Sequence, residues 1–216
     1  MRLTDLLESS MIWYHGTPDG QDFNGSFDNR RTSTSYISNP KLWHKLQNDL
    51  THVDSGSDEY MKLLDQIANL KEYKSFRSPI FFSNKHGTAQ TYADDKRSFN
   101  YQEADPRVIH ATIKEAPTLT VDAHGKQFRG IDVNSVISGL TDSGISSEQA
   151  KEAMDHFADS IRGVGGTIST DRLALISQIF HFDIVDVVNV KDNYMGGGAI
   201  GTVRMVFDPS LIRIMD

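Results

Sequence analysis

Apolar positions recur along the chain in short blocks whose period switches between two and three-to-four, and each switch marks a change of element. The run Met11 to His15 (MIWYH) ends in Gly-Thr-Pro-Asp-Gly and predicts a strand entering a turn. A polar stretch from Gln21 to Asn39 reads as a long surface loop. Leu42, Leu46 and Leu50, spaced by four, predict a helix over Pro40 to Val53. Met61, Leu64, Ile67, Ala68 and Leu70 predict another over Asp58 to Tyr73. The Ser-Gly-Ser-Asp run between them supplies a break and an N-cap, so residues of about 40–73 read as an inserted helical hairpin.

Pro79 to Ser83 (PIFFS) predicts a buried strand and Lys85 to Asp94 a short helix. β-Branched residues return over Arg107 to Ile113 and Leu119 to Val121, predicting two strands with a turn at Glu-Ala-Pro between them. Ser146 to Arg162 opens on a near-capping pattern and continues with helical spacing, and Asp171 to His181 is a further helix. Phe182 to Val190 and Thr202 to Phe207 are strands around the Gly196-Gly197-Gly198 loop. Strands at both ends with helices between them predict an α+β class in a single domain over residues 1–216.

Composition narrows the partners. Charged residues at 24% and hydrophobic residues at 38% are too mixed in sign and too apolar for intrinsic disorder. The net charge of -7 argues against a surface that tracks phosphates, so nucleic acid is the less favoured macromolecular partner. No apolar run is long enough to span a bilayer and the first residues carry no signal core, which predicts a cytoplasmic protein with no membrane partner. Without cysteine there is no thiolate ligand, and the eight histidines do not cluster at helical spacing, so no metal is expected.

Three segments become informative together: His15-Gly16-Thr17, Ile80-Phe81-Phe82-Ser83, and Ala89 to Tyr92. Their order and spacing resemble the H-Y-E branch of the ADP-ribosyltransferases, the diphtheria-toxin and poly-ADP-ribose-polymerase type. There His-Gly-Thr/Ser ends one strand, Tyr-Phe-Ala/Ser ends another, and a second tyrosine follows about three helical turns later. Here 92 − 81 = 11 puts Tyr92 at that distance from Phe81. Val108 to Asp122 and Val206 to Ile212 look like corresponding stretches in such domains of phage and mobile-element polyvalent proteins.

The resemblance implies a split antiparallel β-sheet holding NAD, with His15, Gly16, Thr17, Phe81, Ser83 and Tyr92 as its binding residues. The chemistry suits those residue types. A glycine admits close backbone approach, an imidazole can hydrogen-bond a ribose hydroxyl, and two aromatic rings can hold a nicotinamide between them.

Loss of nicotinamide leaves an oxocarbenium-like sugar that a carboxylate would stabilise. The family places a glutamate about four residues before the Phe of Phe-Asp-Pro, which here falls at Val203, flanked by Thr202 and Arg204. The catalytic set thus reads His15, Phe81 and Val203, with Tyr92 behind it, and Asp186 or Asp192 as acids that could enter from outside the motif. In this family the loop before the acid-bearing strand meets the acceptor, which nominates Tyr194 and Met195 for target contact. The implied activity is mono-ADP-ribosyl transfer from NAD to a macromolecule, with a protein acceptor favoured over nucleic acid. Two alternatives stay open: a catalytically degenerate module that binds NAD, ADP-ribose or a protein, and an NAD glycohydrolase.

Overall fold

A computed structural model describes residues 11–17, 26–28, 30–94, 106–157, 166–191 and 200–215. The class is α+β, with a seven-stranded, mostly antiparallel sheet and six helices among the described residues. The strands of the large sheet are β1 (Trp13–Thr17), β4 (Ile80–Ser83), β5 (Arg107–Ile113), β6 (Thr118–Asp122), β7 (Ile184–Lys191), β8 (Ile200–Val206) and β9 (Ile212–Ile214). Their order is β6-β7-β8-β4-β1-β5-β9. A separate two-stranded sheet pairs β2 (Arg31–Ile37) with β3 (Lys71–Arg77).

Several expectations change here. The polar stretch before residue 40 contains a strand, because β2 gains a partner in β3 that lies far along the chain. The inserted hairpin, α1 (Pro40–Leu50) and α2 (Asp58–Asn69), is therefore the tip of a β-α-α-β arm, and its second helix stops at Asn69 rather than Tyr73. Asn39 and Ser57 cap the two helices with their side chains, as Ser146 does for α5 (Ser147–Asp155) in a full capping box. The strand expected over Thr202 to Phe207 is β8, which ends just before Asp208-Pro209, and beyond that turn β9 is an additional edge strand paired to β5. The helices α3 (His86–Ala93) and α6 (Thr170–Ile179) fall where periodicity places them, while α4 (Val133–Asp142) has no counterpart in the reading of the pattern.

The two strands flanking Glu-Ala-Pro do not form a hairpin. β5 and β6 stand five positions apart in the sheet order, and β6 pairs parallel with β7. In a flat sheet five spacings would measure about 24 Å, whereas the chain from Ile113 to Thr118 reaches only about 18 Å. The sheet must fold over on itself. Its halves, β6-β7-β8-β4 and β1-β5-β9, meet at the β4–β1 edge, and a small cluster of Trp13, Phe82, Ala111 and Val206 from the four neighbouring strands β8, β4, β1 and β5 packs on its inner face.

The opposite, outer face is covered by helices. Leu119, Val121, Val185, Val187, Val203 and Met205 alternate onto it and pack with Leu140 of α4, Met154 of α5 and Leu173 and Ile176 of α6. A Cβ at Gly139 would come within 2.2 Å of the Thr120 carbonyl oxygen, so α4 lies on β6 only because that position has no side chain. A bulge in β7 between Val187 and Val190, with Asn189 at φ 52°, keeps Val190 on the buried side.

Candidate functional site

The three strands that carry the motif residues are neighbours, in the order β8, β4, β1. Ser83 pairs with Val203 on one side and with Tyr14 on the other. Directly paired residues of antiparallel strands share a face, so Tyr14, Ser83 and Val203 all sit on the outer face together with Phe81 and Gly16. Trp13, His15, Phe82 and Arg204 alternate onto the inner one.

Between β1 and β4 the ladder holds a single pair, Tyr14 with Ser83, among the described residues. Continued, it would set Gly16 opposite Phe81. Instead the His15 side chain bridges the gap, with Nδ1 at 2.7 Å from the Phe81 carbonyl oxygen. A carbonyl only accepts, so Nδ1 carries the proton and, in the neutral ring, Nε2 is left as an acceptor. Burial lowers the His15 pKa below its ordinary 6.5, against the smaller opposing pull of the Phe81 carbonyl, which keeps the imidazole neutral at pH 7. The ring packs against Phe27 at 5.0 Å and Phe82 at 5.6 Å, on the side of the sheet away from the Phe81 ring.

Gly16 has a structural role of its own. A Cβ there would lie 1.9 Å from the Ala89 carbonyl oxygen of α3, so this glycine is what lets α3 settle on β1. Edge-to-face contacts from Tyr14 to His86 and to His110 hold the same packing. Ser83 is buried, and its Oγ accepts from the Lys85 amide at 3.0 Å, shaping the turn into α3. Asn84 extends the β4–β8 pairing, its Oδ1 accepting from Thr202 N at 2.9 Å. Tyr92, 37% exposed, stands at the far end of α3, and Phe81, 39% exposed, is bare for a large apolar side chain of a strand inside a sheet.

The backbone positions therefore converge, while the side chains divide between two faces. Gly16, Phe81, Ser83 and Val203 share the outer face, His15 sits in the seam, and Thr17 ends β1. Neither described acid position supplies an available carboxylate. Val203 is apolar and buried in the large core. Asp186 receives Arg204 Nε at 2.7 Å and Nη2 at 2.6 Å, and the guanidinium also lies 4.1 Å from the centre of the Trp13 ring. That stack ties β8 of one half-sheet to β1 of the other. Asp192, Tyr194 and Met195 fall outside the described residues.

Sequence reasoning missed two features. The Arg204–Asp186 clasp had a signal, since a charge inside the apolar runs VRMV and IVDVV is where a paired, half-buried ion would sit. Phe128, whose ring meets Phe81 edge to face at 6.0 Å, had none, because it comes from a Gly- and Lys-containing connection with no periodicity.

Among the described residues no group of three or more His, Asp or Glu could hold a metal, and no helix is long and apolar enough to cross a membrane. No protein family, curated protein or solved structure matches this chain.

Proposed function

We propose that this chain is a mono-ADP-ribosyltransferase that takes NAD as donor and a macromolecule, with protein the favoured class, as acceptor. The observation that carries the reading is the seam: His15, Phe81, Ser83 and Val203 come from three separate stretches of sequence, yet lie on three adjacent strands, two of which, β1 and β4, share a single described pair. Ribosyl transfer would break the C1′–N1 bond of the nicotinamide riboside. The electron pair goes to the pyridinium nitrogen, and a lone pair of the acceptor forms the new bond to C1′ as its proton leaves to solvent. The rings of Phe81 and Tyr92, each more than a third exposed, would hold the nicotinamide, and His15, whose ring lies on the other side of the sheet, would act by fixing the Phe81 backbone through its Nδ1 bond.

A second reading, NAD or ADP-ribose binding without transfer, is favoured by one observation: Val203 is apolar and Asp186 is already engaged by Arg204. Loss of preorganised charge stabilisation costs on the order of 10² to 10³ in rate, so any transfer would be slow. The test is incubation of the chain with labelled NAD and a lysate, following nicotinamide release and label transfer, with His15→Ala and Tyr92→Ala beside it. Label transferred only by the unmodified chain supports the transferase. Nicotinamide release without label indicates water as acceptor. NAD-dependent thermal stabilisation with neither signal supports the binding module, since saturation at 100 times the dissociation constant adds about 2.7 kcal/mol.

A further inference from the structure

The outer face of the sheet is roofed twice, with a strip between the roofs. Over β6, β7 and β8 lie α4, α5 and α6, and over β1 lies α3, held by the Gly16–Ala89 approach. β4 runs between them, and of its two side chains on this face Ser83 is buried while Phe81 is 39% exposed. The border of the larger roof is a 3-10 turn at Phe128–Gly130, whose Phe128 is partly buried against the large core and sets its ring at 80° to that of Phe81.

The turn is anchored. Lys126 Nζ lies 2.6 Å from Asp132 Oδ2, the Lys191 amide donates to the Lys126 carbonyl at 2.9 Å, and the Gly125 amide donates to Asn189 O at 2.8 Å. Phe128 is thus carried on a short connection bonded to the end of β7, with its ring directed at the strand between the two roofs. A pair of perpendicular rings, one of them 39% exposed, suits a flat ligand group, one ring meeting its face and the other its edge. It suits a cationic ring most, because aromatic faces attract positive charge.

Resting on the reading given under Proposed function, we infer that Phe128 is a ligand-binding residue which, with Phe81, recognises the pyridinium ring of NAD. It lies outside every segment that carries the resemblance. Its contribution falls on the nicotinamide end of the dinucleotide and not on the ADP-ribose end.

The test is calorimetric titration of the full chain and of Phe128→Leu and Phe128→Tyr with NAD and, separately, with ADP-ribose, which lacks the pyridinium. Leucine keeps apolar packing against the core and removes the ring, whereas tyrosine keeps the ring. The expected result is a loss of NAD affinity in Phe128→Leu of roughly three- to thirtyfold, ADP-ribose affinity within about twofold, and NAD affinity restored in Phe128→Tyr. Equal losses for both ligands, or no loss in a variant with unchanged circular dichroism, overturns the assignment. If the unmodified chain binds ADP-ribose but not NAD, the role of Phe128 is refuted while the cleft survives. If it binds neither, the parent reading fails and the assignment with it.

Discussion

The face of the sheet beneath α4, α5 and α6 is sealed by side chains such as Val136, Leu140, Leu173 and Val187, all with no solvent access, whereas the strands either side of the β1–β4 seam share, among the described residues, one backbone pair and one imidazole bond. The first region is redundant. Many apolar contacts overlap there, and stability is spread over several strands and three helices. The second depends on a few specific contacts, each between groups distant in sequence: His15 with Phe81, Gly16 with Ala89, and Arg204 with Asp186 and Trp13. Binding sites are drawn from such sparsely tied places, because a sealed, redundant core leaves no room for a ligand.

The sharpest way to separate the two regions is to damage the core alone. Leu173→Ala removes a fully buried side chain and should cost about 2–5 kcal/mol in urea unfolding while leaving NAD affinity unchanged. A matching loss of affinity would mean that the regions are coupled. Next in size is the clasp. Asp186→Ala leaves the Arg204 guanidinium without its carboxylate, and because both side chains keep 15–19% of their exposure the cost should be roughly 1–3 kcal/mol, below that of a fully buried pair. The double variant Asp186→Ala/Arg204→Met should recover part of it. No recovery would show that packing on Trp13, not charge, is what the clasp supplies.

At the seam, Gly16→Ala forces a methyl group into the Ala89 carbonyl and should cost about 1–3 kcal/mol by displacing α3. Unlike Leu173→Ala, it should also weaken NAD binding, because Tyr92 moves with the helix. The smallest effect is the pH dependence of His15. Burial lowers its pKa in the fold, so the unfolded chain takes up a proton near 6.5 that the folded chain resists. The His15 share of stability is complete above that value and is lost as pH falls towards the folded pKa. Urea midpoints between about pH 7.5 and 5 should fall less steeply in His15→Gln than in the unmodified chain. Parallel slopes would remove burial of the imidazole from the account.

Elements with strong internal periodicity are legible in the chain alone. The α1–α2 hairpin, α3, α6 and the strands of MIWYH, PIFFS and FDIVDVVNV follow from spacing, and caps at Asn39, Ser57 and Ser146 fix helix starts through local side-chain bonds. β2 and β3 are not. Their residues are polar and largely exposed, and a strand of that kind exists only by virtue of its partner some forty residues away. The candidate site divides in the same way: the identity and spacing of His15, Gly16, Ser83 and Tyr92 are written in the chain, while the meeting of Phe128 with Phe81 is not.

By itself, then, the sequence determined which segments are apolar, which turn, and which residue types stand beside Gly16 and Phe81, because each of these is set within a few residues of chain. Only the tertiary structure decided that β5 and β6 lie on opposite halves of a folded sheet, that Asp186 is neutralised by Arg204, and that Gly16 serves the packing of α3. These are contacts between residues 18 to more than 70 positions apart, and no local propensity encodes them. They appear when burial of Leu119, Val185 and Met205 selects one strand order from the many that the same pattern permits.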